Sequence, residues 1–346
     1  MNKRICEYGF KIGRMEKGPL NKITDVPGVT VGHCTVDEGA SRTGVTVIMP
    51  CEDNPFARKL TAAAFVHNGF GKTMGIPQID ELGTLESPIA LTNTLNIGKV
   101  QDAVAEYMLE RCKREGVRCT SINIAVGECN DSILSDISLR AVEREHVFKA
   151  IYSAGKDFEE GDVGAGKGTV CFGFKGGIGS ASRVINIGEK AYTLGVLVQS
   201  NFGATETFTL CGNNIGPELK DKITPAPLDR GSIMMVVATD LPLSDRQLKR
   251  VIRRCGVGLS RCGSFMGHGS GDIMLGFTTA NRIEAEGETQ SITILREDLL
   301  GQAFTACAEA TEEAILNSLA MANTVEGYDG TVKYSLTDVY LNTLGK

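Results

Sequence analysis

The sequence predicts an α/β (α+β) fold. Apolar and β-branched runs of strand length are spread along all 346 residues, amphipathic helical segments are interleaved with them, and no long linker divides the chain. A single domain spanning 1–346 is therefore expected.

Strand-type runs occur, in chain order, at Val29–Val36, Gly44–Met49, Ser121–Val126, Tyr192–Val198, Ile233–Thr239, Ile273–Thr279 and Ser291–Leu295. The first helix is expected over Lys99–Glu115. There Val100, Ala103, Val104, Tyr107 and Met108 recur at helical spacing and Gly116 supplies a stop. A second begins at Ser244, which with Gln247 forms a capping-box pattern; Leu248, Val251, Ile252 and Cys255 make its apolar stripe, and Gly256 is expected to end it. A third follows Asp298, with Leu299, Leu300, Ala303, Phe304, Cys307, Ala310, Ala314 and Ile315 on a broad apolar face. The 41 glycines, with no tryptophan and 10 prolines, suit many tight turns between short elements.

Composition narrows the function. With 36 Lys+Arg against 42 Asp+Glu the net charge is -6, and no long basic run occurs, which argues against a nucleic-acid partner and for a small molecule. The start of the chain has no long apolar core, so neither an export signal nor a membrane span is expected. Eleven cysteines, without any CxxC pair, read as free thiols of a reducing cytoplasm, mostly buried. His33, His67, His146 and His268 are too dispersed for a local metal motif, and no metal or cofactor is expected.

The segment Gly161–Thr169 (GDVGAGKGT) approaches a phosphate-loop pattern. Its context argues against nucleotide binding, because charged residues precede it and a Gly- and Phe-rich stretch follows where a helix is needed.

No serine sits in a G-x-S-x-G elbow. His268 and Asp272 flank Ser270, but triad members normally converge from separate elements, so His268 reads as a loop or core residue. Gly231-Ser232 is more informative: a proline-punctuated loop precedes it and an apolar strand follows. Cleavage there would leave Ser232 with a hydroxyl nucleophile and an α-amine, whose ordinary pKa of about 7.7 to 8.0 suits a general base. Gly231 permits backbone conformations closed to other residues. Asp229 and Arg230 are flanking loop residues without an assigned role. Local pattern alone favours the plainer reading of the dipeptide as a turn entering a strand.

The wider chain resembles the L-aminopeptidase D-Ala-esterase/amidase and β-peptidyl aminopeptidase family from about Asn21 onward. Its matching stretches include Ile23–His33, Thr43–Pro50, His67–Lys72, Glu81–Thr94, Phe174–Gly179, Val198–Gly203, Gly231-Ser232 and Gly267–Asp272. The resemblance implies a four-layer α-β-β-α sandwich and self-cleavage into chains 1–231 and 232–346. It also implies hydrolysis of N-terminal residues from short peptides, amides or esters, and a symmetric homo-oligomer of cleaved heterodimers. By position, Ser232 is the implied nucleophile, Asn201 the oxyanion donor, and Ser270 and Asp272 the pair that orients the nucleophile and its amine. Asp272 stands where some relatives carry Glu. The loop Gly127–Asp131 is expected to face substrate, with Glu128 a partner for its ammonium and Asn130 where some relatives place an aromatic donor. A non-catalytic binding or assembly protein that keeps the fold is the alternative, and a nucleotide-binding enzyme using the Gly161–Thr169 loop is a third reading.

Overall fold

The computed structural model describes residues 2–284 and 287–344. Ten strands form the two principal sheets: β1 Thr30–Glu38, β2 Ser41–Met49, β3 Arg58–Gly69, β4 Thr84–Leu85, β5 Ile89–Asn93, β6 Ala125–Cys129, β7 Gly177–Ile187, β8 Lys190–Asn201, β9 Gly231–Thr239 and β10 Ser270–Glu284. The helices that cover them are α1 Ile97–Arg114, α2 Arg144–Tyr152, α3 Asp245–Ile252, α4 Cys255–Arg261 and α5 Leu300–Ala320. One sheet has the order β1-β2-β5-β6 and the other β4-β3-β10-β9-β8-β7. The pairs β5/β6 and β9/β10 are parallel.

Period-two patterning explains the layering. Along β9, Ile233, Met235 and Val237 enter the core under α3, α4 and α5, whereas Met234, Val236 and Ala238 enter the core between the sheets. A third core joins α1 and α2 to the outer face of the four-stranded sheet through Val45, Val47, Ala90, Val104, Met108 and Phe148. Three cores between four layers give the expected α-β-β-α sandwich.

Several local expectations are corrected. Ser291–Leu295 forms no strand: Ile292 and Ile294 face outward, and the segment is tied down by Leu295 N–H to the Pro242 carbonyl and by Asn281 to Thr293. In Ser121–Val126 the strand starts only at Ala125, because Asn123 is turned toward the Glu86 carboxylate. Gly256 does not end a helix but lies inside α4, a short second helix after α3. Near it, Gly258 lets α4 approach α5 closely, since a Cβ there would stand 2.6 Å from the Ala308 carbonyl oxygen. β7 has the same origin: a Cβ on Gly179 would lie 2.0 Å from the Ala314 carbonyl oxygen of α5.

Among the described residues, no helix is long and apolar enough to cross a membrane. All eleven cysteines are free thiols, and eight of them are buried.

Candidate active site

β9 lies between β8 and β10, so the end of β8 and the starts of β9 and β10 meet at one end of the strands inside the six-stranded sheet. Register places Asn201 opposite Ser232, Ser232 beside Gly271 and Gly231 beside Ser270. Ser232 is only 5% exposed and lines a cavity of about 650 Å³. The Cys129 thiol of the other sheet lies against its hydroxyl, and burial pushes that thiol far above its ordinary range.

Gly231 has φ +118°, a left-handed value, and a Cβ there would stand 1.9 Å from the Asn201 carbonyl oxygen. Both facts exclude a side chain at this position. Asn201 is buried, and its Oδ1 accepts a hydrogen bond from Val170 N–H at 2.9 Å. That bond fixes the amide so that Nδ2, which has no protein acceptor among the described residues, faces the cavity as a donor.

Ser270 and Asp272 are fully buried, and Ser270 Oγ donates to Asp272 Oδ1 at 2.8 Å. Asp272 Oδ2 is buried without a partner among the described residues. Burial pushes the carboxyl up to about 6; the Ser270 hydrogen bond opposes the shift and the charge of Asp229 adds to it. His268 is exposed in the preceding turn and makes no side-chain hydrogen bond among the described residues, so no His268–Ser270 pair forms.

The stretch expected as a loop at Gly127–Asp131 is β6 as far as Cys129. Glu128 is therefore not a solvated loop carboxylate: it is 3% exposed and lines the Ser232 cavity. Its Oε1 accepts from Lys72 N–H at 3.0 Å and its Oε2 from the Thr94 hydroxyl. A carboxylate has about four lone-pair positions, so acceptor capacity remains. Asn130 also lines the cavity, but its Oδ1 is turned back to Ser132 N–H at 2.9 Å.

Sequence reasoning left Asp229 without a role, yet it is buried and its Oδ2 accepts from Ser264 Oγ and Phe265 N–H at 2.9 and 3.0 Å. It thus ties the segment before Ser232 to the turn before Ser270. Nothing in an isolated Asp-Arg-Gly-Ser run signals that contact. The Gly161–Thr169 loop is likewise resolved by its partners. Lys167 pairs with Asp37 and Asp162 at 2.8 and 3.1 Å, and a short strand, not a helix, follows. No group of three or more His, Cys, Asp or Glu side chains suited to a metal occurs among the described residues.

Comparison with known proteins gives one answer throughout. Residues 21–333 match Peptidase family S58. The chain is 36% identical over 344 residues to the beta-peptidyl aminopeptidase BapA of Sphingosinicella xenopeptidilytica, covering 92% of this chain and 85% of that protein. The crystal structure of the PH0078 protein from Pyrococcus horikoshii OT3 superposes with a TM-score of 0.94 at 48% identity, covering 99% of this chain and 97% of that one. L-aminopeptidase D-Ala-esterase/amidase from Ochrobactrum anthropi, described as a prototype for the serine aminopeptidases and a variant of the Ntn hydrolase fold, superposes with a TM-score of 0.91 at 31% identity, covering 99% and 97%. The resemblance read from the motifs is borne out. The chain belongs to peptidase family S58, and its fold and hydrolase class are those of the N-terminal-nucleophile serine aminopeptidases.

Proposed function

We propose that the chain cuts itself between Gly231 and Ser232 and then removes N-terminal residues from short peptides, amides or esters. The observation that carries this reading is the convergence of a left-handed Gly231, a buried Ser232, the cavity-facing amide of Asn201 and the Ser270–Asp272 pair at one end of three adjacent strands.

In maturation, Ser232 Oγ attacks the Gly231 carbonyl carbon. The C–N bond breaks, the proton lost by the hydroxyl passes to the departing nitrogen, and an ester remains. Water hydrolyses that ester, leaving Gly231 with a carboxylate and Ser232 with a free α-amine. In turnover, that amine takes the hydroxyl proton as Ser232 attacks the substrate carbonyl. Asn201 Nδ2 stabilises the oxyanion, a donor typically worth about 3 to 4 kcal/mol of barrier. The leaving amine receives the proton, and water then releases the acyl group. Ser270 and Asp272 hold the Ser232 hydroxyl and amine in position, while Glu128 binds the substrate ammonium and Asn130 shapes the entrance.

The free thiols fit a reducing cytoplasm, where we place the enzyme as a homo-oligomer of cleaved heterodimers. Denaturing electrophoresis with intact mass spectrometry tests the reading. Fragments 1–231 and 232–346 are expected from the natural chain and only the full-length species from Ser232→Ala, with partial cleavage in Ser232→Cys. A natural chain that stays full-length after prolonged incubation favours the non-catalytic alternative. Cleavage that persists in Ser232→Ala rules out this mechanism.

A further inference from the structure

We propose that Lys333 forms a carboxylate subsite on the leaving-group side of the Ser232 cavity, so that the preferred substrates carry a carboxylate beyond the scissile bond. This rests on the reading of the Ser232 cavity given above and adds the chemical class of what fills it.

Lys333 ends the short strand Val332–Lys333, which pairs antiparallel with Val325–Glu326. It is 7% exposed and lines the same cavity as Ser232. Its Nζ has one partner, the Thr224 carbonyl oxygen at a long 3.3 Å, and it takes part in no ion pair among the described residues. Burying an ammonium away from water without a counter-charge is costly, and the cost is relieved when a ligand supplies the anion. Burial alone lowers the Lys333 pKa, which is the expected signature of an ammonium without a nearby carboxylate.

The charge balance of the whole cavity points the same way. Among the described residues Glu128 is the only carboxylate side chain lining it, whereas Lys72, Arg230 and Lys333 contribute three cations, in a chain of net charge -6; cleavage adds one carboxylate at Gly231, which also lines the cavity, and still leaves the cations in excess. Lys72 lies over the Phe70 ring and is exposed, so it and Arg230 form the mouth, and Lys333 is the buried member. A substrate bearing only an ammonium is neutralised at Glu128 and then meets an excess of positive charge. A zwitterionic peptide satisfies both signs. The 650 Å³ volume suits a ligand of a few residues. Val170 and Gly173 also line this cavity, and the Lys175 N–H bond to the Tyr334 carbonyl links Lys333 to the loop that holds Asn201. The carboxylate therefore belongs beside the oxyanion wall, and Glu128 and Thr94 serve the ammonium on the wall supplied by the other sheet.

The carboxylate can come from a peptide C-terminus or from an acidic side chain on the leaving residue. The test measures kcat/KM per matured molecule for a dipeptide that the enzyme cleaves, its C-terminal amide, and a matched pair of amides with Asp or Asn as the leaving residue. The natural enzyme should favour the acid over the amide, or the Asp over the Asn amide, by about tenfold or more, mainly in KM. The first preference identifies a C-terminal carboxylate and the second an acidic side chain. Lys333→Met should reduce that ratio to near one, and Lys333→Arg should restore part of it. A natural enzyme that cleaves all four equally overturns the subsite while leaving the Ser232 reading intact. So does a preference that is unchanged in Lys333→Met. Where Lys333→Met fails to mature, equal cleavage of all four substrates by the natural enzyme still overturns the subsite, and Lys333→Arg still tests its assignment to Lys333.

Discussion

Asn201 and Ser232 are direct register partners across the antiparallel β8/β9 pair, with the Asn201 amide held by Val170 N–H. One sheet register thus sets the distance between the proposed nucleophile and its oxyanion donor. It predicts a separation of roles. Asn201→Asp keeps the acceptor for Val170 but loses the donor, and should lower kcat about 10²- to 10³-fold with little change in melting temperature. Asn201→Ala also releases Val170 and should lower both. A kcat within tenfold of the natural enzyme in Asn201→Asp would remove Asn201 from the oxyanion role.

Gly231→Ala tests the backbone rather than the chemistry. Its φ of +118° and the 1.9 Å approach of an added Cβ to the Asn201 carbonyl oxygen leave no room for a methyl group without shifting β8 against β9. Self-cleavage should slow by orders of magnitude although every proposed functional side chain is present. Mass spectrometry over time reads this directly, and cleavage at the natural rate would show that this backbone geometry is unimportant.

Glu128→Gln should raise KM for amine-bearing substrates about 10- to 100-fold, the cost of losing a charge-assisted contact in a buried setting, with a smaller effect on kcat. Gln retains the shape and one acceptor for Lys72 and Thr94. Steady-state kinetics on the matured variant provides the check. An unchanged KM would assign the ammonium to another group.

Legibility in the sequence followed chemistry with a local signature. β9 was readable because Ile233–Thr239 is an unbroken apolar run buried on both faces, and the helix after Ser244 because its capping box is formed as expected. β3 and β7 were missed because alanines and glycines occupy them for packing reasons that lie elsewhere in the chain, such as the close approach of Gly179 to α5. Similarly, Ser270 and Asp272 were placed by resemblance, but the buried contact of Asp229 with Ser264 and the isolation of Lys333 depend on segments distant in sequence. Such pairings arise only when the sandwich closes.

The raised pKa of Asp272 gives the last prediction, with two separate readouts. Between the ordinary 3.8 and about 6 the folded chain keeps a proton that the unfolded chain has lost. The contribution of this group to stability is therefore greatest at low pH and falls as pH rises through that window. Asp131 is likewise pushed up to about 6 by burial, so Asp272→Asn should reduce, by this group's share, the fall of melting temperature between pH 4 and 6. In catalysis both Asp272 and the Ser232 amine must be deprotonated. Log kcat/KM should then climb with slope two below pH ~6 and slope one above it until the amine is deprotonated. Asp272→Asn should give a lower rate with slope one throughout the acid limb. A second slope that survives the substitution would assign that proton to another group and would leave Asp272 with a purely structural part in holding Ser270.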